Sequence, residues 1–144
     1  MSAQRRRGGR REQGLRRENS PARPLVSIIT VVYNGAATLE RTIQSVLGQT
    51  YDNIEYIIVD GGSTDESVAI IEKYAPWLAY WVSEPDGGQA DAINKGFAHA
   101  TGEIYAWLNS DDLYEPGAVQ IMVHAFFEYL ESDLVYGTGW QIDE

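Results

Sequence analysis

No cysteine occurs among the 144 residues of this chain. Disulfide frameworks and thiolate metal sites are therefore excluded, and the composition is compatible with a reducing compartment. No apolar run approaches the length needed to span a bilayer, and residues 1–24 lack the apolar segment of a secretory signal. The composition otherwise fits one globular domain of ordinary size.

The phosphate-binding signatures of common nucleotide folds are also missing. There is no Walker-type Gly-Lys-Ser/Thr, and residues 33–37, after the first apolar run, read YNGAA without the glycines of a dinucleotide fingerprint. Dehydrogenases, methyltransferases and nucleotidyltransferases are disfavoured, because each needs a glycine-rich turn at this place. A phosphate bound by this chain must therefore be held by another device.

Basic residues are scarce beyond residue 24. Residues 1–24 carry eight arginines and two glutamates, a net charge of +6, whereas residues 25–144 carry three basic and 19 acidic residues, a net charge of −16. Such an acidic body argues against nucleic acid as its ligand, since phosphate backbones need a basic surface. A single nucleotide could still bind if a metal ion neutralised its phosphates.

The basic leader, residues 1–24, has almost no large apolar side chains. We predict that it is disordered, because it cannot bury enough surface to offset the entropy of ordering. A solvated leader without a specific role is the simplest interpretation. RNA contact, a targeting peptide and attraction to an anionic membrane surface are the alternatives.

From residue 25 onward, apolar runs alternate with amphipathic segments. The pattern predicts strands at residues 25–33, 54–59, 78–82 and 104–108, with a fifth beginning at 134–136, and helices at 38–47, 63–74, 89–100 and 116–130. Ser63 and Glu66 resemble a capping box at the second helix. Strict alternation predicts the α/β class, a mostly parallel, Rossmann-like sheet with helices on both faces. Since the chain stops just after the fifth predicted strand, we expect it to be truncated.

Acidic residues follow two of the predicted strands at the point where each ends. Asp60 ends the second strand, and the adjacent pair Asp111 and Asp112 follows the fourth, while Asn34 and Asp86 follow the first and third. The carboxyl ends of parallel strands meet at one edge of a sheet, where open α/β proteins bind ligands. Adjacent carboxylates repel each other, and a divalent cation relieves that repulsion. A cation held there could grip a diphosphate, which indicates a sugar-nucleotide site.

A purely structural interpretation exists for each of these residues. Asn, Asp and Gly are ordinary turn and helix-cap residues. Asp112, however, lies four residues before Pro116, too early to cap the helix expected there. His99 and His124 have no acidic partners at metal-ligand spacing, so we assign them no chemistry.

Six segments, taken in order, resemble the nucleotide-binding half of a family 2 glycosyltransferase. They are SIITVVYN (27–34), TIQSVLGQT (42–50), EYIIVDGGSTD (55–65), SEPDGGQADAINKG (83–96), ATGE (100–103) and NSDD (109–112). The resemblance implies the GT-A fold of nucleotide-diphospho-sugar transferases, and a donor-binding domain over residues 25–144. It further implies transfer of a sugar from a nucleotide-diphosphate donor, most often UDP, to an acceptor hydroxyl with inversion.

The resemblance also implies roles for particular residues. Val32, Tyr33 and Asn34 would flank the base and ribose, Asp60 would hydrogen-bond one of them, Asp86 would line the donor pocket with Asn94 behind it, and Asp111 would approach the ribose. Asp112, with Asp111, would bind Mn²⁺ or Mg²⁺ bridging the diphosphate.

Two departures from the family pattern limit these implications. Asn109 stands where the metal motif often has Asp, so a three-carboxylate arrangement is missing. The family's general base is an acid well beyond that motif, and neither Asp143 nor Glu144 is a convincing substitute, so we name no catalytic residue. The alternative is therefore a non-catalytic nucleotide-sugar-binding fragment.

The expected setting follows from the same resemblance. The partners are a nucleotide-sugar donor and an unidentified glycan or lipid acceptor, without nucleic acid, in cell-envelope polysaccharide assembly. We expect a cytoplasmic protein, which the basic leader could attract to the inner face of the membrane.

Overall fold

The computed structural model describes residues 5–141. In chain order its elements are β1 (Arg6–Gly8), a 3₁₀ helix (Arg10–Gln13), β2 (Val26–Val32), α1 (Ala36–Leu47), β3 (Ile54–Asp60), α2 (Ser67–Tyr74), β4 (Tyr80–Ser83), α3 (Gln89–His99), β5 (Ile104–Asn109) and α4 (Ala118–Glu128). Within this part of the chain, no helix has both the length and the apolarity needed to cross a bilayer.

The strands form one sheet in the order β1-β4-β3-β2-β5. β2 pairs in parallel with both β3 and β5, and β3 pairs in parallel with β4, whereas β1 is antiparallel to β4. The register sets Val32 opposite Asp60, and Asp60 opposite Ser83, so the carboxyl ends of three strands lie level. This confirms the predicted α/β class with a mostly parallel sheet.

Helices cover both faces of the sheet, which explains why all seven residues of β2 are buried. On one face, Leu39 and Ile43 of α1, Ile71 of α2 and Val119 of α4 join the larger core cluster. On the other, Ala92 of α3 packs with the alternate residues of β2, β3 and β4. The prediction of helices on both faces is therefore confirmed.

A glycine brings α3 unusually close to the sheet. A Cβ atom at Gly96 would lie only 2.4 Å from Cγ2 of Ile29 in β2. Because the helix axis is held at this distance, the first turn of α3 lies beside the carboxyl end of β2. This contact sets one wall of the cleft described below.

The basic leader is the main departure from the sequence-based prediction. Residues 6–8 pair with β4, with Arg6 opposite Ser83, and a 3₁₀ helix follows. Arg11 forms an ion pair with Glu55, whose side chain is only 3% exposed. Disorder is thus not observed over residues 5–24, and residues 1–4 lie outside the described part of the chain. The prediction of disorder considered only the small apolar area of this segment. Backbone pairing at an open sheet edge and ion pairs with an acidic body order the segment instead, and composition does not reveal either.

Two smaller predictions also differ from the structure. Residues 134–136 are irregular rather than a strand, with Leu134 75% and Tyr136 87% exposed, since no described segment lies beside them to pair with. The capping box does not form either, because the Ser63 hydroxyl donates to Asp60 instead. The backbone N–H of Ser67, the first residue of α2, donates to Asp65 Oδ1 at 2.9 Å, and the N-cap residue, Glu66, makes no side-chain capping bond.

Candidate functional site

A cleft of about 880 Å³ opens at the carboxyl ends of β2, β3 and β5. Its volume falls in the range of small-ligand sites, roughly 300–1,000 Å³. The lining residues are Val31, Val32, Tyr33, Asn34, Gly35, Thr38, Gly61, Pro85, Asp86, Gly88, Gln89, Ala92, Asn109, Ser110 and Asp111.

The loop between β4 and α3 forms one wall and is shaped by two carboxylates. Asp86 Oδ1 accepts the backbone N–H of Gly88 at 2.8 Å, and Asp91 Oδ2 accepts that of Gly87 at 2.9 Å. The hydrogen bond from Gly87 lowers the pKa of Asp91, and the nearby Lys95 ammonium adds to this effect. Gly88 has a φ of +108°, a conformation that L side chains rarely adopt.

The start of α3 is left without a capping side chain. Gly88 occupies the N-cap position and offers no side-chain hydrogen bond to the first turn. Because the unpaired N–H groups and the helix dipole favour negative charge there, this end of the helix suits an anion. Gly88 and Gln89 both line the cleft, so the helix terminus borders it.

The opposite wall is made by two loops that hydrogen-bond to each other. Asn34, with a φ of +51°, accepts the Thr64 N–H at 2.8 Å on its side-chain oxygen, and its own N–H donates to Ser63 Oγ at 2.8 Å. Asp65 Oδ2 accepts the Ala36 N–H at 3.0 Å. The two strand ends are therefore fixed relative to each other.

Asp60 fixes the loop that follows β3 from its buried side. Its side chain is fully buried and accepts hydrogen bonds from the N–H groups of Gly62 and Ser63, at 3.1 and 3.0 Å, from the Ser63 hydroxyl and from Ser83 Oγ at 2.7 Å. With both oxygens occupied by protein donors, Asp60 does not line the cleft. This differs from the expectation that it contacts base or ribose.

Asp86, unlike Asp60, lines the cleft. A Cβ atom at Gly61 would come within 2.8 Å of Asp86 Oδ2, so the carboxylate rests against the bare backbone of Gly61. The absence of a side chain at position 61 thus admits Asp86 to the cleft wall.

The loop after β5 carries the adjacent acids. Asp111 lines the cleft, whereas Asp112 does not, and Asp112 Oδ2 accepts a hydrogen bond from Asn109 Nδ2 at 3.2 Å. Gln89 Nε2 donates to Asn109 Oδ1 at 2.8 Å and so links this loop to the start of α3. Both aspartates are exposed.

A buried threonine anchors this loop to α1. Thr42 is fully buried, and its hydroxyl lies 2.8 Å from the carbonyl oxygen of Ser110 and 2.9 Å from that of Asp112. Because a hydroxyl carries one proton, the two carbonyls share it. The backbone on both sides of Asp111 is thereby fixed.

The charges around the cleft are negative. Its lining residues include Asp86 and Asp111 but neither lysine nor arginine. Lys95, the nearest cation on α3, is held by Asp91 at 3.3 Å and Glu84 at 3.4 Å. A diphosphate entering this cleft would therefore need a cation brought with it.

The residues present suit a hard divalent cation that is shared with a ligand. Among residues 5–141, no group of three or more His, Cys, Asp or Glu side chains could enclose a metal ion. Asp111 and Asp112 are the two adjacent carboxylates on the loop after β5. Mg²⁺-type sites commonly use one or two carboxylates, with substrate phosphates and water completing the coordination.

Comparison with known proteins identifies the family. The family model of glycosyl transferase family 2 matches residues 27–143.

The chain belongs to glycosyl transferase family 2.

Curated relatives of this family 2 chain are longer proteins. It is 46% identical over 104 residues to the uncharacterized glycosyltransferase MT1564 of Mycobacterium tuberculosis, a match that covers 71% of this chain and 40% of the relative. It is 38% identical over 119 residues to the uncharacterized glycosyltransferase RT0329 of Rickettsia typhi, covering 83% and 37%. The matched part thus spans about two fifths of these relatives.

Solved structures give the fold. S. aureus TarS 1-349 in complex with UDP-GlcNAc superimposes with a TM-score of 0.67 at 24% identity, covering 74% of this chain and 32% of that one. The mannosyltransferase PcManGT from Pyrobaculum calidifontis, in complex with GDP-Man and Mn²⁺, gives 0.64 at 24% identity, covering 86% and 38%. The family 2 chain therefore has the GT-A fold, as the resemblance implied.

Five of the residues expected at the site of this family 2 chain line the cleft. These are Val32, Tyr33, Asn34, Asp86 and Asp111. Asp60 is buried beneath its loop, Asn94 is exposed on α3 away from the cleft, and Asp112 lies beside the cleft on the Asn109 amide.

The sequence-based reasoning missed Gln89 and Thr42. Gln89 is the first residue of α3, directly after two glycines, and that position alone could have placed it at the cleft. Thr42 lies among apolar residues in a helix, where one polar side chain gives no signal of its partner.

Proposed function

We propose that this chain is the donor-binding part of an inverting glycosyltransferase that takes a sugar from a nucleotide-diphosphate donor, a UDP-sugar, and passes it to an acceptor hydroxyl. One observation carries this: an acid-walled cleft without basic side chains, bordered by an uncapped helix terminus, at the carboxyl ends of parallel strands. Such a cleft suits a polar ligand that arrives with its own dication.

Different walls of the cleft would contact different parts of the donor. Tyr33 is 67% exposed and offers an aromatic face to a base, and Asp86 can accept hydrogen bonds from base or ribose. Asp111 and the start of α3 lie nearer the β5 side, where a diphosphate would meet both the aspartates and the free N–H groups.

Asp111 and Asp112 are the residues that would hold Mn²⁺ or Mg²⁺. When bound, the ion would neutralise charge that develops on the diphosphate leaving group. Rotation of the Asp112 side chain away from Asn109 is needed for both carboxylates to serve, and the exposure of Asp112 permits it. The Gln89 link keeps Asn109 in place meanwhile.

The cleft supplies no group that we assign as general base. Among residues 5–141, Asp86 and Asp111 are the acids that line the cleft, and in this proposal both contact the donor. Deprotonation of an acceptor hydroxyl therefore needs a carboxylate from elsewhere. The alternative function, nucleotide-sugar binding without transfer, follows if this chain acts alone.

A thermal-shift screen tests the proposal. The chain would be heated with UDP, GDP, UDP-GlcNAc and GDP-mannose, each with and without Mn²⁺, and stabilisation by a uridine compound only with Mn²⁺ is expected. A uridine donor that stabilises and is also hydrolysed would indicate transfer chemistry, whereas stabilisation without turnover would favour the binding fragment. Equal shifts without metal would contradict the metal-assisted proposal.

A further inference from the structure

Most arginines near the amino terminus are neutralised by ion pairs with acidic residues, four of them in the body and one in the leader itself. Five of the described ones form ion pairs: Arg5 with Glu84, Arg6 with Glu72, Arg7 with Glu12, Arg11 with Glu55 and Arg23 with Asp52. Arg10, Arg16 and Arg17 have no acidic partner within residues 5–141. The excess positive charge is thus concentrated on three side chains.

These three arginines share one small cavity of about 20 Å³, together with Leu15 and Trp77. We call these five residues the arginine patch. The ion-paired Arg11 and Glu55 also line the cavity, as do Ile54, the first residue of β3, and Ala79, which precedes β4. The patch therefore lies at the amino ends of the strands, at the opposite rim of the sheet from the donor cleft.

The guanidinium groups in the patch are crowded. Burial lowers the pKa of Arg17, and the positive charges of Arg10 and Arg23 lower it further. Among the nearby acids, Glu55 is committed to Arg11 and Asp52 to Arg23. Since Arg10, Arg16 and Arg17 have no ion-pair partner within residues 5–141, an external anion would relieve the repulsion between them.

Two apolar side chains accompany this charge at the surface. Leu15 is 49% exposed and Trp77 is 58% exposed. A free phosphate ion would leave both in water, and a cavity of 20 Å³ is too small to take a nucleobase. Arginine beside exposed tryptophan and leucine instead suits the headgroup level of a bilayer, where charge and apolar surface are both satisfied.

We propose that the arginine patch docks on the phosphate headgroups of an anionic lipid bilayer. In this orientation the donor cleft faces away from the lipid, separated from it by the length of the strands, roughly 20 Å for seven residues. The cleft remains open to a water-soluble donor.

Vesicle co-sedimentation of the full chain tests this proposal. Vesicles of phosphatidylcholine with 30% phosphatidylserine would be compared with pure phosphatidylcholine, at low and high salt. The triple change Arg10→Gln, Arg16→Gln, Arg17→Gln should weaken binding to the anionic vesicles by about fivefold per arginine, roughly a hundredfold in all. Trp77→Ala should weaken it as well, and high salt should release the chain.

The matched control is Arg5→Gln, Arg6→Gln, Arg7→Gln, which removes the same charge from arginines that are already paired. This variant should retain most of the binding. An equal loss of vesicle binding in both triple variants would overturn the proposal that the arginine patch is the docking site, since diffuse charge would then explain the attraction. Thermal unfolding of each variant establishes that it is folded.

Three further results would overturn the proposal. The first is equal binding to both kinds of vesicle. The second is release by inorganic phosphate at matched ionic strength, which would assign a free-phosphate site. The third is tighter patch-dependent binding to a uridine oligonucleotide, which would assign an RNA surface. Anionic-lipid binding that depends on the patch and survives added phosphate supports it.

Discussion

At the residue scale, Thr42 is the side chain on which the acidic loop depends most directly. Its single hydroxyl proton is shared between the carbonyl oxygens of Ser110 and Asp112, and the side chain is fully buried. Gln89 and Ser45 bond to Asn109 and Tyr114 on either side, but Thr42 is the side chain that binds the backbone next to Asp111, and the position of Asp111 depends on it.

We expect Thr42→Val to separate this anchoring from packing, because valine has nearly the same shape without the hydroxyl. Loss of the shared hydrogen bond should lower the free energy of unfolding by about 1–2 kcal/mol and weaken Mn²⁺-dependent UDP binding severalfold. Urea unfolding and calorimetric titration measure the two effects. Thr42→Ser keeps the hydroxyl and should preserve UDP binding, at a cost of about 1 kcal/mol for the buried methyl group that it removes. A stability loss with unchanged UDP binding in Thr42→Val would show that the loop does not rely on this contact.

Gly88 offers a test of the backbone at the start of α3. Its φ of +108° disfavours any side chain, although a Cβ atom there would meet nothing within 4 Å. Gly88→Ala should therefore cost about 1–2 kcal/mol through strain alone, and relief of that strain would shift the loop and weaken UDP binding.

Gly14 supplies the matched control for that change. It also has a positive φ, +76°, and open space around it, but it lies in the amino-terminal segment. Gly14→Ala should lower stability by a similar amount and leave UDP binding unchanged. If both alanine variants bind UDP equally well, the conformation of Gly88 does not matter to the site.

At the scale of elements, the amino-terminal segment is joined to the body through Glu55. Burial raises the pKa of this carboxyl, but hydrogen bonds from Ser27, from both the N–H and hydroxyl of Thr101 and from Arg11 outweigh burial, so its pKa lies below the ordinary value. Glu55 thus connects β3, the loop before β5 and the 3₁₀ helix in one polar cluster.

Removing the arginine should leave a buried carboxylate without its cation. Arg11→Met is expected to lower the free energy of unfolding at pH 7 by about 3–5 kcal/mol. Because the folded pKa is depressed, the stabilisation by charged Glu55 is complete above about pH 4.3 and is lost as the pH falls through the lower folded value. Denaturant unfolding at several pH values should show the difference from the parent shrinking in acid.

Arg7→Gln serves as the control in that series, since Arg7 pairs with Glu12 at the surface, 3.6 Å away, with both side chains about half exposed. Its cost should stay below about 1 kcal/mol. An equally small effect of Arg11→Met would mean that the segment is not held by this ion pair.

The elements that the sequence predicts well are those with a local pattern. β2 and β3 follow from buried β-branched runs, and β4 and β5 from shorter apolar runs rich in aromatic residues. The first and third helices follow from apolar spacing and flanking glycines. The pairing of residues 6–8 with β4 could not be predicted, because a short arginine-rich strand is stabilised by a distant sheet edge and distant acids.

At the scale of the whole molecule, the sequence predicted the rim of the sheet at which the cleft opens but not the direction of each side chain. Strand-end position places Asp60 and Asp86 together, yet Asp60 turns inward to Ser63 and Ser83, and Asp86 turns outward over Gly61. Asn94 shares the helix that borders the cleft but lies on its exposed side. The direction of each side chain depends on hydrogen-bond and packing partners that are brought together only by folding.

The central claim is that a dication allows an acidic cleft to bind a diphosphate. Calorimetric titration of UDP into the chain, with and without Mn²⁺, tests it most directly, using the double change Asp111→Asn, Asp112→Asn and the control Glu115→Gln on the exposed part of the same loop. The account predicts UDP binding only with Mn²⁺, lost in the double variant and kept in the control. Tight UDP binding without metal, unchanged by the double substitution, would contradict it.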